Sequence, residues 1–188
     1  MAVVEDVKVL QGGEFLIQET TPQSVFTPED FTEEQQMFAE MTQEFIDKRV
    51  LANIAKIEKQ EAGLTQSLLE EAGELGLLGA AVPEEYGGTG VDIKTEAILT
   101  EILGKAGSFS VSVSAHTGIG TLPILYFGTA AQKEKYLAGL ASGQLKAAYC
   151  LTEPGSGSDA LAALTKATLT EDGEHYLIEG QKMWITNA

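Results

Sequence analysis

Tyr149-Cys150-Leu151-Thr152-Glu153-Pro154-Gly155-Ser156-Gly157-Ser158-Asp159 separates two kinds of sequence within this 188-residue chain. Before it, apolar residues recur at helical spacing; after it they cluster in short runs divided by turn residues. Residues 146–152 read as a strand that leads into a loop of glycines and serines over 153–160. Downstream, residues 164–170 and 175–179 read as strands joined at Asp172-Gly173, a hairpin turn signal, and residues 182–186 read as a fourth strand.

Working back from that run, the helical pattern is clear as far as Thr32. Thr32 and Gln35 form a capping box, and Glu33 and Glu34 suit the positive end of a helix. Met37, Met41, Phe45, Val50, Ile54 and Ile57 lie along one stripe and predict a long amphipathic helix over 33–60. Thr65 is the expected cap of a second helix with Leu68, Leu69, Ala72 and Leu75 on one face, ending in Gly76 and Gly79. Residues 82–90 are a loop by composition. Asp92 starts a third helix to about residue 106, and Ser108 a fourth, rich in small residues, that Pro123 is expected to break or kink. Thr129 with Gln132 caps a helix to about residue 141.

The fold class expected is therefore α+β and multidomain. Residues 1–31 form an irregular lead-in with one short extended piece. Residues 32–144 form an all-helical domain, and residues 145–188 the first strands of an antiparallel β-domain. Such a sheet reads as unfinished, so the chain is expected to be cut off within it.

Composition removes several classes of function. Twelve bases against 28 acids give a net charge of −16, which disfavours nucleic acid and anionic membrane surfaces as partners. An acidic chain can still hold a phosphate through backbone N–H groups. No apolar run is long enough to span a bilayer, and the first thirty residues carry one base, unlike a secretory or transit peptide. Cys150 is the single cysteine, which excludes an internal disulfide and a cysteine metal cluster and fits a cytoplasmic protein. His116 and His175 read as packed or surface histidines rather than metal ligands.

Two segments carry chemistry. In the run that opens at Tyr149, glycines permit close backbone approach and serines offer donors to phosphate oxygens. Neither a dinucleotide fingerprint nor a Walker A loop is present, so the stretch reads equally as a phosphate or cofactor loop and as an ordinary hairpin loop. In Lys182-Met183-Trp184-Ile185-Thr186-Asn187, the only tryptophan stands two residues from a threonine, on one face if the segment is a strand. That pair could line a flat aromatic ligand, or the tryptophan could be a core residue of a sheet.

Taken together, Cys150-Leu151-Thr152-Glu153-Pro154, Gly157-Ser158-Asp159 and Trp184-Ile185-Thr186-Asn187 resemble the acyl-CoA dehydrogenase family. Pro83-Glu84-Glu85-Tyr86-Gly87-Gly88 and the stretch from Gly128 to Leu137 are similar to it too, so the likeness covers about residues 30–188. It implies a helical domain, a middle β-domain and a further helical domain absent here. It implies FAD as cofactor, lying against Tyr149, Leu151, Thr152, Gly157, Ser158, Trp184, Ile185 and Thr186. Thr152 would bond the pyrimidine side of the isoalloxazine, Thr186 would sit near N5, and Trp184 would pack on the ring. Ser158 would reach the flavin phosphates and the pantetheine arm. Ser114, Ala115 and Gly118 would wall an acyl pocket for medium-to-long chains. The implied reaction is α,β-dehydrogenation of a fatty acyl-CoA in fatty acid β-oxidation, with the base in the absent domain, Glu153 not being that base, and the fragment alone inactive. The implied partners are an electron-transfer flavoprotein and further copies in a homodimer or homotetramer. A flavin oxidase or monooxygenase of the same fold, or a non-catalytic folding or assembly module, are the alternatives.

Overall fold

The computed structural model describes residues 10, 12–21 and 24–188. It divides into a unit ending at Phe38 and a larger unit from Ala39 to Ala188. In the first, a 3-10 turn at Glu14–Leu16 takes in Phe15 and Leu16 of the apolar run Phe15-Leu16-Ile17, and a second turn follows at Pro28–Asp30. Thr32 and Gln35 make the reciprocal capping box: the Gln35 N–H donates to Thr32 Oγ1 at 3.2 Å, and the Thr32 N–H donates to Gln35 Oε1 at 3.0 Å. That box starts α1 (Glu33–Phe45), which runs on into the second unit.

The long helix expected over 33–60 is not regular. Between Phe45 and Val50 the stripe steps by five residues, which an α-helix cannot keep on one face. A π-helical turn at Ile46–Val50, with its i→i+5 closure, absorbs the extra residue, and Phe45, Ile46 and Val50 are all buried. A 3-10 turn (Leu51–Asn53) and the short α2 (Ile54–Ile57) complete the segment. Helix α3 (Leu64–Glu74) is capped by Gly63 at φ 77°, so Thr65 lies inside the helix rather than at its start. Glycine takes the left-handed entry at no steric cost. Helix α4 (Ile93–Leu103) begins where Asp92 accepts the Thr95 N–H at 2.8 Å.

Helix α5 (Ser108–Ser114) continues through a second π turn, Ala115–Thr121, into α6 (Leu122–Phe127). Pro123 does not break this run. It lies in the first turn of α6, where a missing N–H is tolerated. Helix α7 (Ala130–Ala141) carries the Thr129–Gln132 capping box. Phe109, Leu68, Leu69, Leu78, Val113, Leu137 and Leu140 fill the core among these helices.

Residues 145–188 follow a different plan. Among the described residues one two-stranded antiparallel sheet forms, β1 (Lys166–Leu169) with β2 (Tyr176–Glu179), in the register Leu169↔Tyr176. The Asp172-Gly173 turn is as predicted: Gly173 has φ 72°, and Asp172 Oδ1 accepts the Glu174 N–H at 3.0 Å. Residues 146–152 and 182–186, expected as strands, are not strands. The backbone bond that links them, Met183 N–H to the Thr152 carbonyl at 3.0 Å, is not a ladder. Trp184 has φ 60°, so strand alternation does not place it on one face with Thr186. Among the described residues no helix is long and apolar enough to cross a membrane.

Candidate functional site

The Gly/Ser loop is closed on itself at its root. Glu153 and Ser156 exchange backbone N–H···O bonds of 2.9 and 3.1 Å, and Ser156 Oγ donates to the Asp159 carbonyl at 2.7 Å. At the centre sits the Glu153 carboxylate, 6% exposed. It accepts the Leu164 N–H at 2.6 Å, the Thr165 N–H at 3.0 Å and Lys182 Nζ at 2.8 Å. Lys182 Nζ also donates to the Leu151 carbonyl at 2.9 Å. The ammonium of Lys182 is the largest cause, followed by the bonds from Thr165 and Leu164, of a Glu153 pKa lowered to about 2. A carboxylate held by three donors in this way stays ionised. It acts as a bracket joining three chain segments and is unsuited to taking a proton from a substrate.

This bracket brings the two predicted segments together. Leu151 and Thr152 are bonded through their carbonyls to Lys182 and Met183, so residues 149–152 lie beside residues 184–186. The side chains that remain outward are Tyr149, Leu151 and Trp184, the last 83% exposed. Gly157 and Ser158 are exposed, and Thr152, Ile185 and Thr186 are half-buried. Among the described residues, the hydroxyls of Thr152, Ser158 and Thr186 take no protein partner. An open indole, a phenol, a leucine side chain and the hydroxyls of Thr152, Ser158 and Thr186 make a surface that matches a flat, polar-edged ring with an attached phosphate. A Cβ built on Gly155 or Gly157 would meet nothing, so that part of the loop is open to a ligand.

The other predicted residues lie on α5 and the π turn after it. Ser114 is exposed and Ala115 is buried, while Gly118 lines a cleft of about 130 Å³. Val113, Thr117 and Leu122 continue that wall; Leu77, Ala80 and Ala81 form a second, and Glu96, Leu99, Thr100 and Leu103 of α4 a third. The Pro83–Gly90 loop sets the second wall. It folds back so that the Gly90 N–H donates to the Val82 carbonyl and the Val91 N–H to the Ala80 carbonyl, both at 2.9 Å. Gly88 permits this, since a Cβ there would lie 1.9 Å from the Val82 carbonyl oxygen. Among the described residues Glu96 is the one carboxylate in the lining, and burial first, then Asp92, raises its pKa.

Sequence reasoning named His116 as a packed or surface histidine and Asn187 as part of a motif, but not the bonds by which they connect these regions. His116 is buried, and its Nδ1 accepts the Ala147 N–H at 3.0 Å. Asn187 Nδ2 donates to the Ser112 carbonyl at 2.8 Å and to the Ala147 carbonyl at 3.3 Å. Partners 31, 75 and 40 residues apart leave no local pattern to read. The cleft walls from α4 and from residues 77–81 were missed for the same reason.

Comparison with known proteins bears on the family and the fold. The family description "Acyl-CoA dehydrogenase, N-terminal domain" matches residues 32–144, and "Acyl-CoA dehydrogenase, middle domain" matches residues 148–188. A probable acyl-CoA dehydrogenase of Bacillus subtilis is 56% identical over 180 residues, covering 96% of this chain and 30% of that protein. The human mitochondrial very long-chain specific acyl-CoA dehydrogenase is 48% identical over 116 residues, covering 61% of this chain and 18% of that protein. The crystal structure of an acyl-CoA dehydrogenase from Bacillus anthracis complexed with FAD matches with a TM-score of 0.86 and 52% identity, covering 95% of this chain and 31% of that one. The chain thus spans about a third or less of the length of these relatives. The two domain matches, in order along residues 32–144 and 148–188, together with these identities and the TM-score of 0.86, place the chain in the acyl-CoA dehydrogenase family.

Proposed function

We propose that this chain supplies the helical wall and the first flavin-facing wall of an FAD-dependent enzyme that dehydrogenates fatty acyl-CoA thioesters at Cα–Cβ, a step of fatty acid β-oxidation. The observation that carries the reading is the bonding of Leu151, Thr152 and Glu153 to Lys182 and Met183, which lead directly into Trp184–Thr186. When bound, FAD would supply the two-electron acceptor that takes the β-hydrogen. Thr152 and Thr186 would donate hydrogen bonds to its ring, Trp184 would cover an edge of it, and Tyr149, Leu151 and Ile185 would exclude water. Ser158 and the Gly157 N–H would hold its phosphates. Glu153 would hold the loop and leave proton abstraction to a base carried elsewhere in a longer polypeptide. In this reading residues 32–144 act as one domain and 145–188 as the start of another.

The acyl chain would enter the cleft walled by Gly118, Leu122, Leu99 and Leu103. Its mostly apolar walls suit an acyl chain, and a medium-to-long chain would run on beyond these 130 Å³ past the glycine at 118. Reoxidation by an electron-transfer flavoprotein and assembly as a homodimer or homotetramer complete the proposal. On this reading the 188-residue chain alone would be inactive, because Glu153 is held in the bracket and the base would be carried elsewhere.

Two measurements test it. In the longer flavoprotein, Thr186→Ala should weaken FAD retention or slow flavin reduction, by a factor of about 3–10 for one lost hydrogen bond. Unchanged retention and reduction would remove Thr186 from the site. Turnover should rise from butyryl-CoA to palmitoyl-CoA, and a peak on the shorter substrate would overturn the chain-length assignment.

A further inference from the structure

Ala147 is held from both sides at the point where the helices meet the flavin-facing loops. Its N–H donates to His116 Nδ1 at 3.0 Å, and its carbonyl accepts from Asn187 Nδ2 at 3.3 Å. His116 belongs to the π turn Ala115–Thr121, is 0% exposed, and places Nε2 2.9 Å from the Leu140 carbonyl of α7. These two contacts admit one protonation state. A carbonyl only accepts, so Nε2 carries the hydrogen; a backbone N–H only donates, so Nδ1 is bare. The imidazole is therefore neutral, and burial, opposed in part by the Leu140 carbonyl, lowers its pKa. The charged group acting on it is Lys146, which is itself paired with Glu70.

Gly120 makes the joint close. A Cβ at that position would lie 2.4 Å from Ala147 Cβ and 2.9 Å from the Ala115 carbonyl oxygen. From Ala147 the chain runs to Thr152, whose carbonyl takes the Met183 N–H, and Asn187 returns to Ala147 and to Ser112 of α5. One ring of contacts thus contains the π turn, the loop that opens at Tyr149 and the segment that holds Trp184. The same π turn contributes Thr117 and Gly118 to the cleft.

We infer that His116 is a positioning residue. Through Ala147 and Asn187 it sets Thr152 and the Trp184–Thr186 segment in register with the cleft wall at Gly118, and so sets how a flavin ring would face an acyl chain. The consequence for flavin rests on the function proposed above; the joint itself does not. A residue that merely fills space needs the bulk of the ring. This role needs an acceptor at Nδ1 and a donor at Nε2.

The test compares wild type with His116→Leu, of similar bulk without polar atoms, and His116→Gln, whose amide carries an acceptor and a donor about as far apart as the two ring nitrogens. In the 188-residue chain, amide hydrogen exchange at Ala147 and Met183 should quicken about tenfold in His116→Leu, with Leu69 and Ala72 of α3 unchanged, and return to near wild type in His116→Gln. In the longer flavoprotein the FAD Kd should rise about tenfold in His116→Leu and recover to within about threefold in His116→Gln. Continued protection of Ala147 and Met183 in His116→Leu would overturn the inference. So would a His116→Gln variant that is folded yet as impaired as His116→Leu. If His116→Leu does not fold, His116→Gln decides: native exchange supports the role, and loss of protection at Ala147 and Met183 sinks it. If wild type takes up no FAD, the flavin reading falls by itself, and the exchange pattern still judges the joint.

Discussion

The helices and the segment from residue 145 onward are stabilised by different means. Between Phe45 and Ala141 the buried side chains are mostly apolar: Phe109, Leu68, Leu78 and Leu137 are at most 2% exposed. Beyond residue 145 the buried residues are Glu153 and Ser156, and both strands of the hairpin are exposed along their length. The first region is held by area removed from water, which is non-directional and roughly additive. The second is held by a few directed bonds to a charge, which act together and depend on protonation. In the function proposed above, the second plan leaves exposed side chains such as Leu151 and Trp184 free to meet a flavin.

Breaking the first region should have the largest effect. Phe109→Ala removes a fully buried ring that lies 6.1 Å from Phe45, centroid to centroid. It should cost about 3–5 kcal/mol, read as a lower urea midpoint of the helical signal. A loss under about 1 kcal/mol would mean that the helices do not depend on this core.

Breaking the second region should leave the helices standing. Glu153→Gln keeps the shape and removes the charge that Lys182 faces. Exchange at the Leu164 and Thr165 amides should quicken about tenfold or more, while the α3 and α7 amides keep their protection. Simultaneous loss of protection in α3 would show that the two regions unfold as one.

Acid should sharpen the contrast. Both relevant groups have folded-state pKa values below their ordinary ones, so each contributes stability that is complete above the ordinary value and is lost as pH falls. For His116 that loss begins as pH passes below 6.5. For Glu153 it runs from 4.5 down to about 2. On acidification the Ala147 amide should therefore lose protection before Leu164 and Thr165 do. The reverse order would reject the assignment of the neutral imidazole to the joint.

The smallest effect is expected on the hairpin surface. Ile178 is 75% exposed, so Ile178→Ser should change stability by no more than about 0.5 kcal/mol. A much larger loss would mean that the hairpin is covered in solution.

What could be read from the sequence was what neighbours decide. Asp92, Thr32 with Gln35 and Thr129 with Gln132 cap helices through bonds three residues long, and Asp172-Gly173 turns the hairpin within six. The same locality explains why the motifs around Thr152 and Trp184 were visible as motifs. Their conformation was not. Residues 146–152 and 182–186 have strand-like composition, yet a strand needs a partner ladder, and here the partners are Lys182, Glu153, His116 and Asn187 side chains. Only the tertiary structure could turn Glu153 into a bracket and His116 into a joint, because a buried charge or imidazole takes its role from groups that the fold brings to it from 11 to 31 residues away.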